Sequence, residues 1–250
     1  KSKFVKKYLF DLFFGKNILK NSNKFIAENE LSYKEYIEFG VKDDKISIVR
    51  PPFPIDEYED LPEKEIFKTN HNLKNKHLIT FFGRIHWIKG IDILVEAFNN
   101  LLTKRDDIHL IIMGGDDGYR KKIEELIQSY GIENNILFTG YLSGKDKLSC
   151  IVDSSVVVQT SRYEQGAGAP FESVLCKVPI IVSDNSGAAL DVKRINAGYI
   201  VKFGDIEKLS NAIDYVLNNQ SESINKTIKG SERIKNDLSV EKNIIEYDNV

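Results

Sequence analysis

SSVVVQTSRYEQGAGAPFESVLC, residues 154–176, contains the change of pattern that decides the fold. Residues 155–160 form a nearly continuous run of β-branched and small residues, which is typical of a strand buried on both faces of a parallel sheet. A glycine-rich stretch follows, and residues 169–176 then carry an apolar face at helical spacing, with Pro170 well placed as the first helical residue. Strand, glycine-rich loop and helix in this order predict one βαβ unit.

Short apolar runs alternate with amphipathic segments along most of the chain. We predict strands at residues 78–83, 109–114, 136–140, 155–160, 179–183 and 199–202. We predict helices between them at residues 90–104, 118–130, 145–153, 169–176 and 205–218. Because alternating strands and helices cover a parallel sheet on both faces, the prediction is an α/β fold with a doubly wound, Rossmann-like sheet.

Three regions follow from this pattern. Residues 58–220 are predicted to form the Rossmann-like domain, and the polar, helix-prone residues 221–250 a C-terminal helical tail without an apolar stripe. In residues 1–57 we predict strands at 24–28 and 45–49 and a helix at 32–39. Two strands are too few for a stable sheet, so we interpret residues 1–57 as the remnant of an N-terminal domain with a hinge. The start at Lys1 rather than Met indicates that more chain precedes it.

The composition excludes several classes of function. A net charge of −2, with basic and acidic residues interspersed, does not provide the basic field of a nucleic-acid-binding protein. The two cysteines, Cys150 and Cys176, form neither a disulfide framework nor a metal-ligand spacing. No apolar run approaches the length of a membrane-spanning helix, and no signal peptide is visible. We therefore predict a cytoplasmic protein with no nucleic-acid partner.

The first 21 residues are rich in lysine and aromatic residues. Such a segment can lie on an anionic membrane surface, which would give a peripheral membrane contact. It can also be a helix whose apolar face packs on the missing N-terminal domain. We favour the second interpretation.

The first candidate site is FFGRIHWIKG, residues 81–90, where a predicted strand turns into a helix. Gly83, Arg84 and Lys89 fall at the carboxyl edge of the sheet beside a helix N-terminus, which is where open α/β sheets bind anionic ligands. Arginine offers two parallel donors to phosphate oxygens and lysine a point charge, so the pair suits a diphosphate. Taken alone, a basic pair in a loop is more often a solvated surface feature.

The second candidate site lies in the glycine-rich loop after residues 155–160. Gly166 and Gly168 allow backbone amides to approach a ligand closely. Glu172 belongs to the first turn of the predicted helix and points back toward Glu164, so two carboxylates converge at one cleft. Carboxylates accept hydrogen bonds from sugar hydroxyls. The alternatives are a helix-dipole partner for Glu172 and a solvated loop residue for Glu164.

These two sites together resemble a known family. Glu164 and Glu172, separated by seven residues, match the paired-glutamate motif of the family 4 (group 1) retaining glycosyltransferases of GT-B fold, and Gly83-Arg84 with Lys89-Gly90 matches their phosphate-binding segment. Further similar segments, in the same order, lie at residues 113–119, 136–143 and 196–213. The resemblance covers roughly residues 78–218, the C-terminal nucleotide-sugar-binding domain of that family, and residues 24–54 look like the end of its N-terminal, acceptor-binding domain.

The resemblance implies a role for each matched residue. Arg84 and Lys89 would hold the donor diphosphate, Glu172 the ribose, and Glu164 the donor sugar near its reacting carbon. Other substrate-binding positions would be Gly83, Gly140, Tyr141 and Leu142, the last three framing the nucleobase, and Gly166, Ala167 and Gly168, whose amides would meet sugar or phosphate. The sequence departs from the family pattern at Gln165, Gly166 and Ala167, and at Lys177, where a glycine is common.

The implied function is retaining transfer of a hexose from a nucleoside diphosphate sugar to a hydroxyl of a glycan or lipid-linked acceptor. Neither Asp106-Asp107 nor Asp116-Asp117 forms an Asp-x-Asp triplet, and the second pair is placed to cap a helix, so we predict no metal or other cofactor. We expect His86 to be a loop residue near the acceptor. Two alternatives stay open, namely a nucleotide-sugar epimerase of the same fold and a non-catalytic donor-binding subunit.

Overall fold

The computed structural model describes residues 5, 9–166 and 168–250, without the side chains of Asp11, Leu12, Lys16, Glu241 and Lys242. The chain forms two compact units. One is Phe53–Ser239, and the other consists of the described part of Lys1–Pro52 together with Val240–Val250.

The smaller unit contains the helices Lys16–Asn21 (α1) and Glu30–Glu38 (α2) and the strands Phe25–Ala27 (β1) and Ile46–Ile48 (β2). The two strands pair in parallel, with Phe25 opposite Ile46. Helix α2 begins two residues before the predicted start because Asn29 caps it: the Asn29 side chain accepts the N–H groups of Leu31 and Ser32. The helix Val240–Asp248 completes this unit.

The larger unit alternates helices and strands. In chain order it contains α3 (Ile66–Asn70), β3 (His77–Phe82), α4 (Ile91–Leu102), β4 (Ile108–Met113), α5 (Arg120–Tyr130), β5 (Ile136–Gly140), α6 (Gly144–Val152), β6 (Ser154–Gln159), α7 (Gly168–Leu175), β7 (Ile180–Ser183), α8 (Gly187–Ile195), β8 (Tyr199–Val201), α9 (Ile206–Asn218) and α10 (Gln220–Asp237). Each strand and helix predicted between residues 78 and 218 is present, within two residues at either end. Helices α3 and α8 were not predicted.

All six strands of this unit lie parallel, in the order β5-β4-β3-β6-β7-β8. Every residue of β4 and β6 is buried, as expected for central strands covered on both faces. On one face Leu78 and Val157 belong to a core that includes residues of α6, α7 and α8, and on the other Ile79 and Val156 belong to a core with residues of α4, α5 and α9. This confirms the doubly wound α/β fold.

The strand order changes direction between β3 and β6. From β3 the chain proceeds through β4 to β5 on one side, whereas β6, β7 and β8 follow one another on the other side. The connections after β3 and β6 therefore leave the sheet as neighbours at its carboxyl edge. In doubly wound sheets this switch point is where ligands bind.

The structure corrects two expectations about helices. Helix α7 begins at Gly168, so Pro170 is its third residue rather than its first, a position that the first turn tolerates because its N–H groups have no partner within the helix. Helix α10 does carry a buried stripe, formed by Ser223, Thr227, Gly230 and Ile234. The sequence pattern missed the stripe because three of its four members are small or polar.

Candidate functional site

The connection after β3 is held against the connection after β4 by backbone contacts. Gly83 has a φ of +144° and donates its N–H to the Met113 carbonyl over 2.9 Å. A Cβ on Gly114 would lie 1.8 Å from the Gly83 carbonyl oxygen, so only glycine fits there. Arg84 follows directly and is thereby placed at the carboxyl edge of the sheet.

The guanidinium of Arg84 is exposed, with 68% of its side-chain area accessible, and donates to Asp117 over 2.5 Å. The neighbouring Asp116 has the capping role expected from the sequence: its side chain accepts the N–H groups of Gly118, Tyr119 and Arg120 at the start of α5. Because exposed ion pairs contribute little stability, Arg84 can exchange Asp117 for another anion at low cost.

Lys89 and Glu164 form an ion pair between the connections after β3 and β6. The Lys89 Nζ lies 2.5 Å from Glu164 Oε2, and each side chain is only 16% exposed. Ser161 Oγ donates to the same carboxylate oxygen over 3.2 Å, and the Glu164 carbonyl accepts the N–H of Gly187 over 2.7 Å. Contacts from the connection after β3, from its own connection after β6 and from the start of α8 thus fix the position of Glu164.

Further contacts join these two connections. Arg162 donates to both oxygens of Asp92, at 2.8 and 2.5 Å, and its guanidinium stacks 4.8 Å from the centre of the Trp87 ring. Gly90 packs on Thr160, where a Cβ would lie 1.9 Å from the carbonyl oxygen. The loops that carry Arg84, Lys89 and Glu164 are therefore a rigid part of the unit.

A cavity of about 780 Å³ opens at this edge of the sheet. Five predicted site residues line it: Gly83, Arg84, Tyr141, Leu142 and Glu172. Lining residues that the sequence analysis did not single out include Tyr58, Phe82, Gly115 and Lys147. The volume falls in the range of pockets that enclose a small molecule or cofactor.

Glu172 enters the cavity from α7 with a side chain that is 15% exposed. Its carboxylate forms an ion pair with Lys147 of α6. A Cβ on Gly168 would come within 3.5 Å of Glu172 Oε1, so the start of α7 leaves room beside the carboxylate. Tyr58 lines the same cavity, and its pKa is raised by burial and, next, by the nearby charge of Glu172.

The four predicted charged residues are brought to one edge of the sheet but not into one cavity. Arg84 and Glu172 line the cavity, whereas Lys89 and Glu164 pair with each other and are not among its lining residues. The convergence of Glu164 and Glu172 at one cleft therefore stays a prediction. The short Lys89–Glu164 ion pair turns these two side chains toward each other.

The remaining predicted positions lie around this edge. Gly140 ends β5 with a φ of +72°, and its carbonyl accepts the N–H of Gly114 over 2.8 Å. Gly166 lies in the loop before α7, Gly168 is the first residue of α7, and Ala167 lies outside the described residues. His86 has a local role, since its Nδ1 accepts the N–H of Ile88 at the start of a short 3₁₀ helix.

Tyr58 and Lys147 were missed for different reasons. Tyr58 lies in a stretch where no helix or strand is predicted, but it ends a 3₁₀ helix, Ile55–Tyr58, beside the cavity. Lys147 lies near the start of a helix that was predicted correctly. Because α6 follows β5, its first turn must begin at the carboxyl edge of the sheet, and that topology alone could have identified Lys147.

The described residues were also compared with the requirements of a metal site, a reactive thiol and a membrane-spanning helix. It contains no group of three or more His, Cys, Asp or Glu residues placed to hold a metal ion. Burial raises the pKa of Cys150 and of Cys176 to about 12, with Glu172 adding to the shift at Cys176, so both thiols stay protonated. Nor does any helix among residues 9–166 and 168–250 have the length and apolar character needed to cross a bilayer.

Comparisons with known proteins point to one family. Its profile, described as "Glycosyl transferases group 1", matches residues 62–233. The chain is 25% identical over 218 residues to the uncharacterized glycosyltransferase MJ1069 of Methanocaldococcus jannaschii, covering 86% of this chain and 54% of that protein. It is 25% identical over 156 residues to the poly(ribitol-phosphate) alpha-N-acetylglucosaminyltransferase of Staphylococcus aureus, covering 62% and 31%. The chain thus spans about half the length of the first of these relatives and less of the second.

A solved structure shows the same fold. The Anabaena protein Alr3699/HepE, determined in complex with UDP and glucose, superimposes with a TM-score of 0.83 at 19% identity, over 93% of this chain and 63% of the Anabaena chain.

Proposed function

This chain belongs to the group 1 glycosyl transferases, and from that premise we propose that it forms the donor-binding half of a retaining transferase of family 4 type. The reaction moves a hexose from a nucleoside diphosphate sugar to a hydroxyl of a glycan or lipid-linked acceptor. One observation carries the proposal: a cavity of about 780 Å³ at the switch point of the sheet is lined by both Arg84 and Glu172.

Arg84 and Lys89 hold the diphosphate in this proposal. When the bond between the sugar carbon and the diphosphate breaks, negative charge develops on the leaving oxygen, and fixed cations nearby lower the energy of that state. Arg84 lines the cavity, and its exposed partner Asp117 is exchanged at low cost. Lys89 is fixed by Glu164, so its ammonium group is oriented before the donor arrives.

Glu164 places the donor sugar near its reacting carbon. Lys89 and Ser161 contact its carboxylate, and Gly187 donates its N–H to the Glu164 backbone carbonyl, so the side chain is held next to the diphosphate-binding cation. A carboxylate there accepts hydrogen bonds from sugar hydroxyls and offsets positive charge that develops on the ring. The backbone amides of Gly166, Ala167 and Gly168 complete the sugar and phosphate contacts.

The nucleoside occupies the part of the cavity between β5 and α7. Glu172 accepts hydrogen bonds from the ribose, and the segment with Gly140, Tyr141 and Leu142 frames the base. Tyr141 and Leu142 both line the cavity, and 78% of Tyr141 is exposed, so its ring is free to stack on a base. The binding of UDP by Alr3699/HepE, which has the same fold, is consistent with this assignment.

Binding of the acceptor is assigned to a part of the protein outside residues 53–239. We propose that the acceptor binds to an N-terminal domain of which the smaller unit is the end, because the chain spans only part of its relatives. We propose further that transfer requires no metal ion and that the protein works in the cytoplasm.

The reaction can be tested on the protein expressed from its complete reading frame. UDP-glucose, UDP-N-acetylglucosamine and GDP-mannose are incubated with a mixture of candidate glycan acceptors, and release of nucleoside diphosphate is measured with and without acceptor. We expect acceptor-dependent release from one donor, a product that keeps the anomeric configuration by NMR, and a loss on the order of 10²-fold in Glu164→Gln. Inverted product would contradict the retaining reaction, and isomerised nucleotide sugar without acceptor would indicate an epimerase.

A further inference from the structure

The carboxylate of Glu172 is contacted by groups from two other elements of the larger unit. Lys147 reaches it from α6 as an ion pair, with 28% of the lysine side chain exposed. The Lys147 ammonium also lies 5.7 Å from the centre of the Phe82 ring, at the end of β3. Lys147, Phe82 and Glu172 all line the cavity, so the Lys147–Glu172 ion pair is part of the binding surface itself.

Tyr58 approaches the same carboxylate from the 3₁₀ helix Ile55–Tyr58. It is only 7% exposed, and its ring packs on Phe53 with 5.8 Å between centres. Phe53 in turn meets the edge of Phe171, the residue before Glu172, at 5.5 Å. This aromatic packing fixes the tyrosine relative to α7, and burial followed by the charge of Glu172 raises the pKa of Tyr58 above its usual range. The hydroxyl therefore stays protonated and can donate.

These contacts leave Glu172 able to bind a ligand. A carboxylate has about four lone-pair sites, so one ammonium and one hydroxyl occupy only part of its capacity. The lysine on one side and the tyrosine on another restrict the rotation of the carboxylate. Its remaining lone pairs are thereby directed toward a pair of vicinal hydroxyls.

We propose that Lys147 and Tyr58 are positioning residues that hold the Glu172 carboxylate oriented toward the ribose of the donor, and that they thereby set a preference for ribonucleotides over 2′-deoxyribonucleotides. This inference rests on the proposed function, in which Glu172 binds the ribose. It adds two residues to that site that come from α6 and from the segment before α3.

The preference is measured by calorimetry on this chain. The probe is whichever of UDP, GDP and ADP binds most tightly, compared with its 2′-deoxy form. Because a hydrogen bond to a charged group changes affinity by about tenfold to a hundredfold, the unmodified chain is expected to prefer the ribonucleotide by that factor. Lys147→Met and Tyr58→Phe are each expected to reduce this preference at least about fivefold, whereas Lys147→Arg retains most of it.

Matched controls lie away from the cavity. Lys68→Met removes another lysine that pairs with a glutamate, Glu65, and Tyr215→Phe removes another hydroxyl bonded to a glutamate, Glu222. Both controls are expected to keep the full preference, and thermal unfolding by circular dichroism verifies that every variant is folded. Glu172→Gln is expected to abolish the preference.

The outcomes separate the two proposals. If the chain binds none of the three nucleotides, or if Glu172→Gln keeps the preference, the proposed function fails. If Glu172→Gln loses the preference while Lys147→Met and Tyr58→Phe keep it, the positioning role is wrong and the proposed function stands. If Lys147→Met weakens both nucleotides equally, the lysine contacts a phosphate instead, which also overturns the inference.

Discussion

Lys177 has a φ of +60°, a left-handed conformation that residues with a Cβ avoid. It follows α7, and the N–H of Val178 donates to the Ser173 carbonyl over 2.9 Å. This hydrogen bond is typical of the Schellman motif at the end of a helix, in which glycine usually occupies the left-handed position. The resemblance to family 4 glycosyltransferases also indicates that glycine is common at this position. The structure supplies the physical reason, which is backbone strain at a helix terminus.

Replacing Lys177 by glycine should therefore stabilise the protein. We expect Lys177→Gly to raise the free energy of unfolding by about 0.5–1 kcal/mol, measured by urea denaturation. Lys177→Ala keeps the Cβ and the strain, so it serves as the control and should stay within about 0.5 kcal/mol of the unmodified protein. Equal effects of the two substitutions would contradict this explanation.

His109 is the residue for which the structure predicts a clear dependence on pH. It is buried in β4, and burial, followed by the charge of Lys76, lowers the pKa of His109 to about 4. An unfolded histidine binds a proton near pH 6.5, so between about pH 6.5 and 4 the unfolded chain binds more protons than the folded one. Acidification through this window must therefore destabilise the fold.

Substitution of His109 should remove part of this effect. Between pH 7.5 and 5.0, we expect the unmodified protein to lose about 1–2 kcal/mol more of its unfolding free energy than His109→Gln, in parallel urea titrations. The exposed His71 provides the control, since His71→Gln should leave the loss unchanged. An identical loss in His109→Gln and in the unmodified protein would show that this histidine is not the cause.

At the scale of elements, α10 shows how a helix whose buried stripe consists mainly of small and polar residues can still be part of a core. Gly230 lies on its buried side, and a Cβ at this position would lie 2.0 Å from the Ala197 Cβ and 3.3 Å from Val174. Close approach of the backbone thus replaces the burial of large side chains. Hydrophobic periodicity cannot detect such an interface.

Gly230→Ala separates helix propensity from packing, because the two effects change the stability of the protein in opposite directions at this position. Alanine is a better helix former than glycine by about 1 kcal/mol, but the added methyl group overlaps Ala197. We expect packing to dominate and the substitution to destabilise by about 1–3 kcal/mol in urea denaturation. Glu232→Ala, on the exposed side of the same helix, should change stability by less than about 0.5 kcal/mol. A gain in stability from Gly230→Ala would contradict the close contact.

The elements of the sheet were predictable because their buried strands are continuous apolar runs bounded by turns. Helix α8 was not, because its sequence, GAALDVKRI, is only nine residues long and contains few large apolar side chains. At the site, Arg84 and Glu172 were recognisable from local motifs. Tyr58 was not, since it lines the cavity together with Glu172, a residue far from it in sequence.

At the scale of the whole molecule, function follows from where two connections leave the sheet. The strand order places the loops after β3 and β6 side by side, and the Lys89–Glu164 ion pair and the packing of Gly90 on Thr160 join them. Arg84 and Glu172 then border one cavity, so a cation and a carboxylate are available to the proposed donor. Neither loop alone provides both groups, so the site is a property of the assembled sheet.

The most direct test is calorimetric titration of this chain with UDP, GDP and ADP in buffer that contains a metal chelator, for the unmodified protein and for the double variant Arg84→Ala, Lys89→Ala. We predict that at least one nucleotide binds despite the chelator and that the double variant, still folded by circular dichroism, binds it on the order of 10²-fold more weakly, since it lacks two charge-assisted contacts to phosphate. Failure of all three nucleotides to bind, or equal affinity in the double variant, would contradict a diphosphate site at this edge of the sheet.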